Sequence, residues 1–305
     1  MKKSLIWTFA LFCFVPSLWA GSVNYTFAQR DTCSLTLDLY RPSAPSRNIT
    51  VLYVFGGGFT EGSRLQAANV EFFNTLAARG YTVAAIDYRL GLKGETKVGV
   101  FHPKAAFRAV DMAVEDLVSA TKYLIDNSTE LDIDPSRIVL VGSSAGAITV
   151  LGADHALTNR TPVVADLPAS FRYAGVVSMA GALFSTTGQP KYLNVPAPTM
   201  FFHGTEDNVV VYKKIQLCKL GMFGTDALVQ IFDKSGYAYL AYRYEGNKHD
   251  VAAFPRQYNI DQICDFIDSA ADKTFNNQID MTVRDRYVQR TYKSELKRKD
   301  LYNGN

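Results

Sequence analysis

Short apolar runs alternate with segments of helical periodicity from residue 21 to residue 272. This rhythm is typical of strands that are joined by crossover helices. Strands are predicted at residues 35–39, 49–55, 82–87, 138–141, 175–179, 199–203 and 238–244. Helices are predicted at residues 70–79, 105–127, from 145 onward, near 212–220 and at 260–271. We therefore expect one α/β domain over residues 21–272, with a mostly parallel, doubly wound sheet flanked by helices.

The first strand and two loops can be placed within this predicted sheet. Leu35, Leu37 and Leu39 alternate with polar neighbours, which is typical of a half-exposed edge strand. Residues 91–103 and 183–198 lie outside the alternating series. In a doubly wound sheet such loops emerge at the carboxyl ends of strands, where ligands bind. Both loops are therefore expected to shape a substrate pocket.

The first twenty residues have the pattern of an export signal. Lys2 and Lys3 precede an apolar run over residues 5–15, and small residues lead to Gly21. The run is too short to cross a bilayer, which needs about 20 residues. We predict a bacterial-type signal peptide at residues 1–20, a periplasmic or secreted protein, and no stable membrane insertion after cleavage. An uncleaved anchor or a buried first helix is the alternative.

The overall charge argues against a nucleic-acid partner. The chain has 32 basic and 29 acidic residues, a formal net charge of +3, which is too balanced for such a surface. Basic residues are concentrated at residues 281–305. We predict that residues 273–305 form a basic tail, which from about Met281 is one exposed helix. A solvated face is the expected role of that helix, and association with an acidic surface is the alternative.

Loss of the signal peptide would remove Cys13 and leave three cysteines, Cys33, Cys218 and Cys264. An odd number leaves one thiol free or paired with another molecule, so the disulfide pairing stays open. Cys264 lies on an apolar stripe at helical spacing and is predicted to be buried. The spacing of the cysteines does not match a zinc site. No metal and no organic cofactor is predicted.

The segment Gly142-Ser-Ser-Ala-Gly146 follows a predicted strand and opens a predicted helix. It therefore matches the G-x-S-x-G nucleophile elbow in its required context. Glycines at both ends allow a strained turn in which the strand and the helix approach closely. Ser144 is the predicted nucleophile. Ser143 is the alternative, but its spacing from the two glycines is wrong.

Three glycines, residues 56–58, end another predicted buried strand. A flexible turn is the simplest interpretation of such a run. Beside a nucleophile elbow, the backbone N–H groups of Gly57, Gly58 and Ala145 are candidates for an oxyanion hole. Each such donor is worth about 3 kcal/mol of transition-state stabilisation.

With these motifs, the chain resembles the α/β-hydrolase superfamily of esterases and lipases, in the branch with a triple-glycine loop that contains carboxylesterases and acetyl esterases. The resemblance extends from about Leu35 to Ala271. Many relatives have His before the glycines, whereas Phe55 stands here, similar to the aromatic residue of cholinesterase-like carboxylesterases. Because the oxyanion donors are backbone groups, this departure should alter the support of the loop more than its chemistry.

The resemblance implies a triad in the order Ser, acid, His. The family's acid position falls on Asp207, with Glu206 as the alternative, and Val211 replaces a proline that is common in relatives. The family's catalytic histidine falls on His249, which follows the last predicted strand; a lone surface histidine is the alternative. His203 is expected to be a structural turn residue.

These residues together predict a serine carboxylic ester hydrolase that acts on short acyl or aryl esters, including those linked to carbohydrates. Phe59, Tyr88 and Phe184 are candidate substrate contacts because of their positions relative to strand ends. A serine peptidase on the same fold and a non-catalytic binding protein are the alternatives. Oligomeric state is left open.

Overall fold

The computed structural model describes residues 21–95 and 103–284. The strands are β1 (Val23–Arg30), β2 (Cys33–Tyr40), β3 (Thr50–Val54), β4 (Thr82–Ile86), β5 (Ile138–Ser143), β6 (Gly175–Met179), β7 (Ala182–Ser185), β8 (Thr199–Gly204), β9 (Lys214–Leu217), β10 (Leu220–Gly224), β11 (Tyr239–Tyr244) and β12 (Gln278–Val283). The helices are α1 (Ala67–Ala78), α2 (Pro103–Asp126), α3 (Ala145–Thr158), α4 (Thr225–Ser235), α5 (Pro255–Tyr258) and α6 (Ile260–Ala271).

Nine strands form the central sheet, in the order β1-β2-β4-β3-β5-β6-β8-β11-β12. From β4 to β12 neighbouring strands are parallel, whereas β1 and β2 are antiparallel to their neighbours. All residues of β3, β4, β5 and β6 are buried, because helices cover a parallel sheet and its strands are therefore continuously apolar. The predicted α/β class with a mostly parallel sheet is confirmed.

Helix α6 shows why the predicted helices form where the sequence places them. Its apolar residues recur at helical spacing, so Ile263, Cys264 and Ile267 lie on one buried face. The predicted burial of Cys264 is confirmed. The three cysteines within the described residues are all unpaired, and Cys33 and Cys218 are exposed.

A second, three-stranded sheet lies outside the main one, in the order β7-β10-β9. It corrects two predictions. Residues 212–220 do not form a helix but lead into the β9–β10 hairpin, which turns at Cys218 with φ of 55°. Helix formation begins only at Thr225, in α4, which the sequence analysis missed. The predicted loop at 183–198 begins as strand β7.

The two edges of the central sheet also differ from prediction. The edge strand is β1, so β2 is an inner strand of the sheet. Leu35, Leu37 and Leu39 are therefore buried. At the other edge β12 pairs in parallel with β11, from Tyr239↔Gln278 to Tyr244↔Val283. The predicted domain end at residue 272 is therefore too early. Residues 281–283 are strand, and not the start of a helix.

Three predicted features fall on residues outside the described ranges. These are the signal peptide at residues 1–20, part of the loop at 91–103, and the basic tail beyond residue 284. Among the described residues, no helix has the length and apolar character needed to cross a membrane.

Candidate active site

Ser144 lies at the sharp turn between β5 and α3. Its φ of 52° and ψ of −117° are unusual for a residue other than glycine. The backbone N–H of Ser144 donates to the carbonyl of Met179 at 2.9 Å, which holds the turn against the end of β6. The sequence therefore folds locally into the strained strand-to-helix turn that the motif predicts.

The glycines on either side of Ser144 allow this turn for a steric reason. A Cβ on Gly142 would lie 2.3 Å from the carbonyl oxygen of Gly146. A Cβ on Gly146 would lie 2.0 Å from the carbonyl oxygen of Val54. Neither distance is possible for a real side chain, so the close contact of β5, α3 and β3 depends on both glycines.

A chain of hydrogen bonds connects three side chains from distant parts of the sequence. Ser144 Oγ lies 2.8 Å from His249 Nε2, and His249 Nδ1 lies 2.7 Å from Asp207 Oδ2. Because a carboxylate only accepts, Nδ1 carries the proton and Nε2 accepts from the serine hydroxyl. The structure thus brings together all three residues of the predicted triad.

The topology explains why these residues meet. Ser144 follows β5, Asp207 follows β8, and His249 follows β11 in a short 3₁₀ turn. These strands are parallel and lie within one sheet, so their carboxyl ends point to the same edge. Glu206, the alternative acid, is exposed, and His249 bonds to Asp207 instead.

Asp207 is buried and accepts hydrogen bonds through both oxygens. The N–H groups of Val209 and Val210 donate to Oδ1 at 2.9 and 3.0 Å. His249 and His203 face Oδ2 at 2.7 and 3.3 Å. Burial by itself raises the pKa of Asp207, but the hydrogen bonds from the two histidines outweigh it and hold that pKa below its usual range. The carboxylate is therefore charged at neutral pH.

The triple-glycine loop passes directly beside the nucleophile. A Cβ on Gly56 would lie 3.1 Å from Ser144 Cβ. Gly57 and Gly58 have φ of 136° and 63°, which favour glycine. The carbonyl of Gly57 accepts from the N–H groups of Thr60 and Glu61, both at 3.1 Å. The loop is therefore a hydrogen-bonded turn and not a loose connection.

The amides predicted to bind an oxyanion are available near Ser144. No hydrogen bond with another described residue occupies the N–H of Gly57 or Gly58. Ala145 is the first residue of α3, and its N–H is one of those that a helix leaves without a carbonyl partner. These three donors are the predicted ones, and the structure places their segments on either side of the serine.

Two of the predicted substrate contacts, Phe59 and Tyr88, support the glycine loop through packing and a hydrogen bond. Tyr88 donates its hydroxyl to the carbonyl of Phe55 at 3.0 Å, and the two rings lie 4.5 Å apart. Phe59 packs edge-on against Tyr88 at 6.1 Å. Both Phe59 and Tyr88 are buried, at 4% and 3% exposure, which gives them a packing role, and their contact with substrate stays a prediction. Phe184 is half-buried and packs against Phe107 at 5.1 Å.

Two supporting groups escaped the sequence analysis. Ser143 donates its hydroxyl to the carbonyl of Ala252 at 2.6 Å and so connects the elbow with the turn that holds His249. Arg64, just beyond the glycine loop, is bound by Asp38 at 2.7 Å and by Asp87. No local motif identifies either contact, because the partners lie far away in sequence.

This geometry is suited to one kind of chemistry. A serine hydroxyl paired with an imidazole, which is in turn oriented by a buried carboxylate, is an activated nucleophile. Within the described part of the chain, no group of histidine, cysteine and carboxylate side chains has the arrangement of a metal site. His155, a further histidine, bonds to the carbonyl of Lys191 at 3.0 Å and takes no part in this cluster.

In sequence, the following family and relatives each match less than half of the chain. A family described as BD-FAE matches residues 37–182, which include the glycine loop and Ser144. Gut esterase 1 of Caenorhabditis elegans is 29% identical over 116 residues, 38% of this chain and 20% of that protein. Ethyl acetate hydrolase of Pseudomonas putida is 30% identical over 126 residues, 40% of this chain and 35% of that protein. The matches thus span about a third or less of these relatives.

The similarity of structure extends over most of the chain. The esterase Est2 of Thermogutta terrifontis superimposes with a TM-score of 0.59 and 21% identity, covering 85% of this chain and 95% of that protein. Structures of the same esterase with propionate and with butyrate bound match as well, with TM-scores of 0.56 and 0.55. The two proteins share one fold, with a mostly parallel central sheet and flanking helices.

Proposed function

We propose that this chain, which has the α/β-hydrolase fold, is a serine carboxylic ester hydrolase. Ser144 is the nucleophile, His249 the general base and acid, and Asp207 the residue that orients the imidazole. The observation that carries the proposal is the continuous hydrogen-bond chain from Ser144 Oγ through His249 to Asp207, at 2.8 and 2.7 Å. The esterase names of the matching relatives support the same activity.

The first half of the reaction forms an acyl-enzyme. His249 Nε2 takes the proton of Ser144 as Oγ attacks the ester carbonyl carbon, and a tetrahedral oxyanion forms. The amides of Gly57, Gly58 and Ala145 stabilise that oxyanion. His249 then gives its proton to the leaving alcohol oxygen, the carbon–oxygen bond of the ester breaks, and the acyl group stays on Ser144.

The second half releases the acid. Water gives a proton to His249 while its oxygen attacks the acyl carbon, and the same amides stabilise the second oxyanion. His249 returns the proton to Ser144 Oγ as the acyl–serine bond breaks. Throughout both halves Asp207 keeps its charge, since the hydrogen bonds it accepts hold its pKa low, and stabilises the imidazolium next to it.

For the substrate we infer short acyl or aryl esters, including those attached to carbohydrates. The names of the relatives support the short acyl group, since one hydrolyses ethyl acetate and another was solved with propionate and butyrate. For the location we infer export to the periplasm or the medium, on the basic and apolar pattern of residues 1–20.

A panel of esters tests the proposal. Acetyl, butyryl, longer acyl and feruloyl esters are assayed with the wild type and with Ser144→Ala. We expect hydrolysis that is fastest for the short acyl or the aryl member, and a loss of at least about 10³-fold in kcat in the variant. Ser235→Ala, an exposed serine at the end of α4, is the matched control and should keep full activity.

Two outcomes would contradict the proposal. Equal activity in the wild type and Ser144→Ala would place the chemistry elsewhere. A folded wild type that hydrolyses no ester of the panel would favour a binding protein, and cleavage of peptides instead of esters would favour a peptidase.

A further inference from the structure

His203 is a completely buried histidine that lies beside the triad without belonging to it. Its Nε2 lies 3.0 Å from the carbonyl oxygen of Val210 and 3.3 Å from Asp207 Oδ2. Its Nδ1 lies 2.9 Å from the hydroxyl oxygen of Thr225, the first residue of α4. The imidazole thus connects α4 with the loop that carries the acid.

The contacts determine which nitrogen of His203 holds the proton. A carbonyl oxygen and a carboxylate oxygen both face Nε2, and neither can donate a hydrogen bond. Nε2 must therefore carry a proton, which it shares between Val210 and Asp207. The neutral imidazole then has a bare Nδ1, and the Thr225 hydroxyl donates to it. This bond stabilises the tautomer that presents a donor to Asp207.

Asp207 Oδ2 receives both this bond and the bond from His249. A carboxylate oxygen has two lone pairs, so each histidine has one. With the two backbone donors on Oδ1, the carboxylate is restrained from both sides. Its orientation toward His249 depends in part on His203.

We propose that His203 is a positioning residue, which with Thr225 fixes the Asp207 carboxylate and moderates the negative charge that it presents to His249. This inference rests on the proposed function, because it concerns the triad of that reaction. His203 touches neither Ser144 nor the predicted oxyanion donors, so its effect reaches the reaction only through Asp207.

Among the described residues, Asp207 is the only charged group that contacts His203. The ring of Tyr212 packs edge-on at 5.6 Å. Behind it lies Arg243, which binds the Tyr212 hydroxyl and pairs with Asp226 at 2.6 Å and with Asp280 at 2.5 Å. This cluster binds Tyr212 and is unchanged in a His203 variant. A change in the pH profile of a His203 variant therefore reports on the link with Asp207 and His249.

A pair of polar substitutions separates this role from a purely structural one. In His203→Gln the amide nitrogen takes the place of Nε2 and can still donate to Asp207. In His203→Asn the amide nitrogen takes the place of Nδ1, and the donor to Asp207 is lost. Both variants are assayed for kcat, KM and the pH dependence of kcat/KM on a short acyl ester, with active sites counted by a fluorophosphonate.

We expect His203→Asn to lower kcat per labelled site about tenfold, the typical effect of losing one hydrogen bond to a charged group. KM should stay within about twofold, because no substrate contact changes. The acid limb of kcat/KM should move to higher pH, because a carboxylate with one donor fewer presents more negative charge to His249. His203→Gln should keep most of the wild-type kcat, and the acid limb of its kcat/KM profile should lie at the wild-type pH.

A second pair keeps the test decisive if His203→Asn does not fold. Thr225→Val keeps the shape of the side chain but removes the donor to Nδ1, and Thr225→Ser keeps the donor. The valine variant should shift the acid limb in the same direction, and the serine variant should not. Wild-type kcat and pH profiles in folded His203→Asn or Thr225→Val would overturn the inference. Equal losses in the Asn and Gln variants, with an unchanged profile, would also overturn it.

These outcomes are distinct from failure of the proposed function. If the wild type hydrolyses no ester and takes up no fluorophosphonate, the serine hydrolase itself is wrong. If the wild type is active and labelled while the variants match it, only the role of His203 is wrong.

Discussion

Asp154 is a carboxyl group in α3 that is buried at 6% exposure, far along the helix from Ser144. Its contact with the N–H of Ala197, at 3.4 Å, is long. Burial raises the pKa of Asp154 to about 7. In the unfolded chain the group has its ordinary acidity, so between about pH 4 and pH 7 the folded state binds more protons. Stability should therefore fall as pH rises through that window.

Asp154→Asn should remove this dependence. Between pH 5 and pH 8 the stability of the variant should fall much less than that of the wild type. At pH 8 the variant should be the more stable of the two. Each unit between the folded and unfolded pKa values is worth about 1.4 kcal/mol. Urea unfolding at the two pH values measures the effect, with Asp166→Asn, an exposed carboxylate, as the control. A wild type whose stability does not change between them would contradict a neutral buried acid.

A substitution of Arg64 tests how a single residue supports the glycine loop. Its guanidinium is buried with Asp38 and also binds Asp87. Arg64→Met should destabilise the fold by at least about 3 kcal/mol, because Asp38 is left as a buried charge without its cation. The double variant Arg64→Met with Asp38→Leu should recover part of that loss in chemical denaturation. A double variant that is less stable than the single one would show that the charge of Asp38 is not the cause.

At the scale of elements, the junction of β5 and α3 determines whether the nucleophile is presented. Gly146→Ala should destabilise the fold by about 2 kcal/mol or more, because the new methyl group would overlap the backbone of β3. Activity per folded molecule should fall as well, since relief of the overlap must move α3. Gly152→Ala on the same helix is the comparison. Its methyl group would lie 2.8 Å from Val114 Cγ2, a side-chain atom and not the backbone of a strand, and alanine favours the helix.

The two glycine variants are compared by urea midpoint and by the rate of phosphonate labelling. We expect the smaller loss in both measurements for Gly152→Ala. If Gly146→Ala stays near the wild type, the close contact between α3 and β3 is not a condition of the site.

The sequence predicts best those elements whose own residues show the apolar pattern of a buried strand or helix. Strands β3, β5 and β6 are continuous apolar runs, and α6 has a clear apolar stripe. The β9–β10 hairpin has no such signal, because every residue of β9 is exposed. The hairpin is held by the pairing of β10 with β7, about 40 residues earlier in the chain. A local sequence pattern cannot indicate a pairing strand that lies so far away in the chain.

The residues of the site differ in the same way, because some have a local sequence motif and others depend on partners that are distant in the chain. Ser144 and the glycine loop have local motifs, and Asp207 and His249 were inferred from the order of elements in a family. Phe59 has a φ of 62° and packs against Tyr88, a contact that strand position alone does not indicate. His203 lies in strand β8 and not in a turn. Its partner Thr225 lies 22 residues away, so no local pattern indicates their contact.

For the whole molecule, the pairing of β12 extends the fold beyond residue 272. Chains that end at residue 284 and at residue 272 differ by β12 and test its contribution to stability. The shorter chain loses β12, and with it the pairing with β11 and the Asp280 partner of Arg243. We expect it to be at least about 2 kcal/mol less stable, since several backbone hydrogen bonds are lost at about 1 kcal/mol each.

Urea unfolding of the two chains measures this contribution. The chain that ends at residue 284 should unfold at the higher urea concentration. Equal stability of the two truncated chains would show that β12 contributes little to the fold.

Covalent labelling of the folded protein with a fluorophosphonate, followed by mass spectrometry of its peptides, tests the role of Ser144 directly. We expect one phosphonyl group per molecule, located on Ser144, with no labelling of Ser144→Ala and full labelling of Ser235→Ala. A folded wild type that takes up no label, or a label found on another residue and unaffected by Ser144→Ala, would show that Ser144 is not the nucleophile.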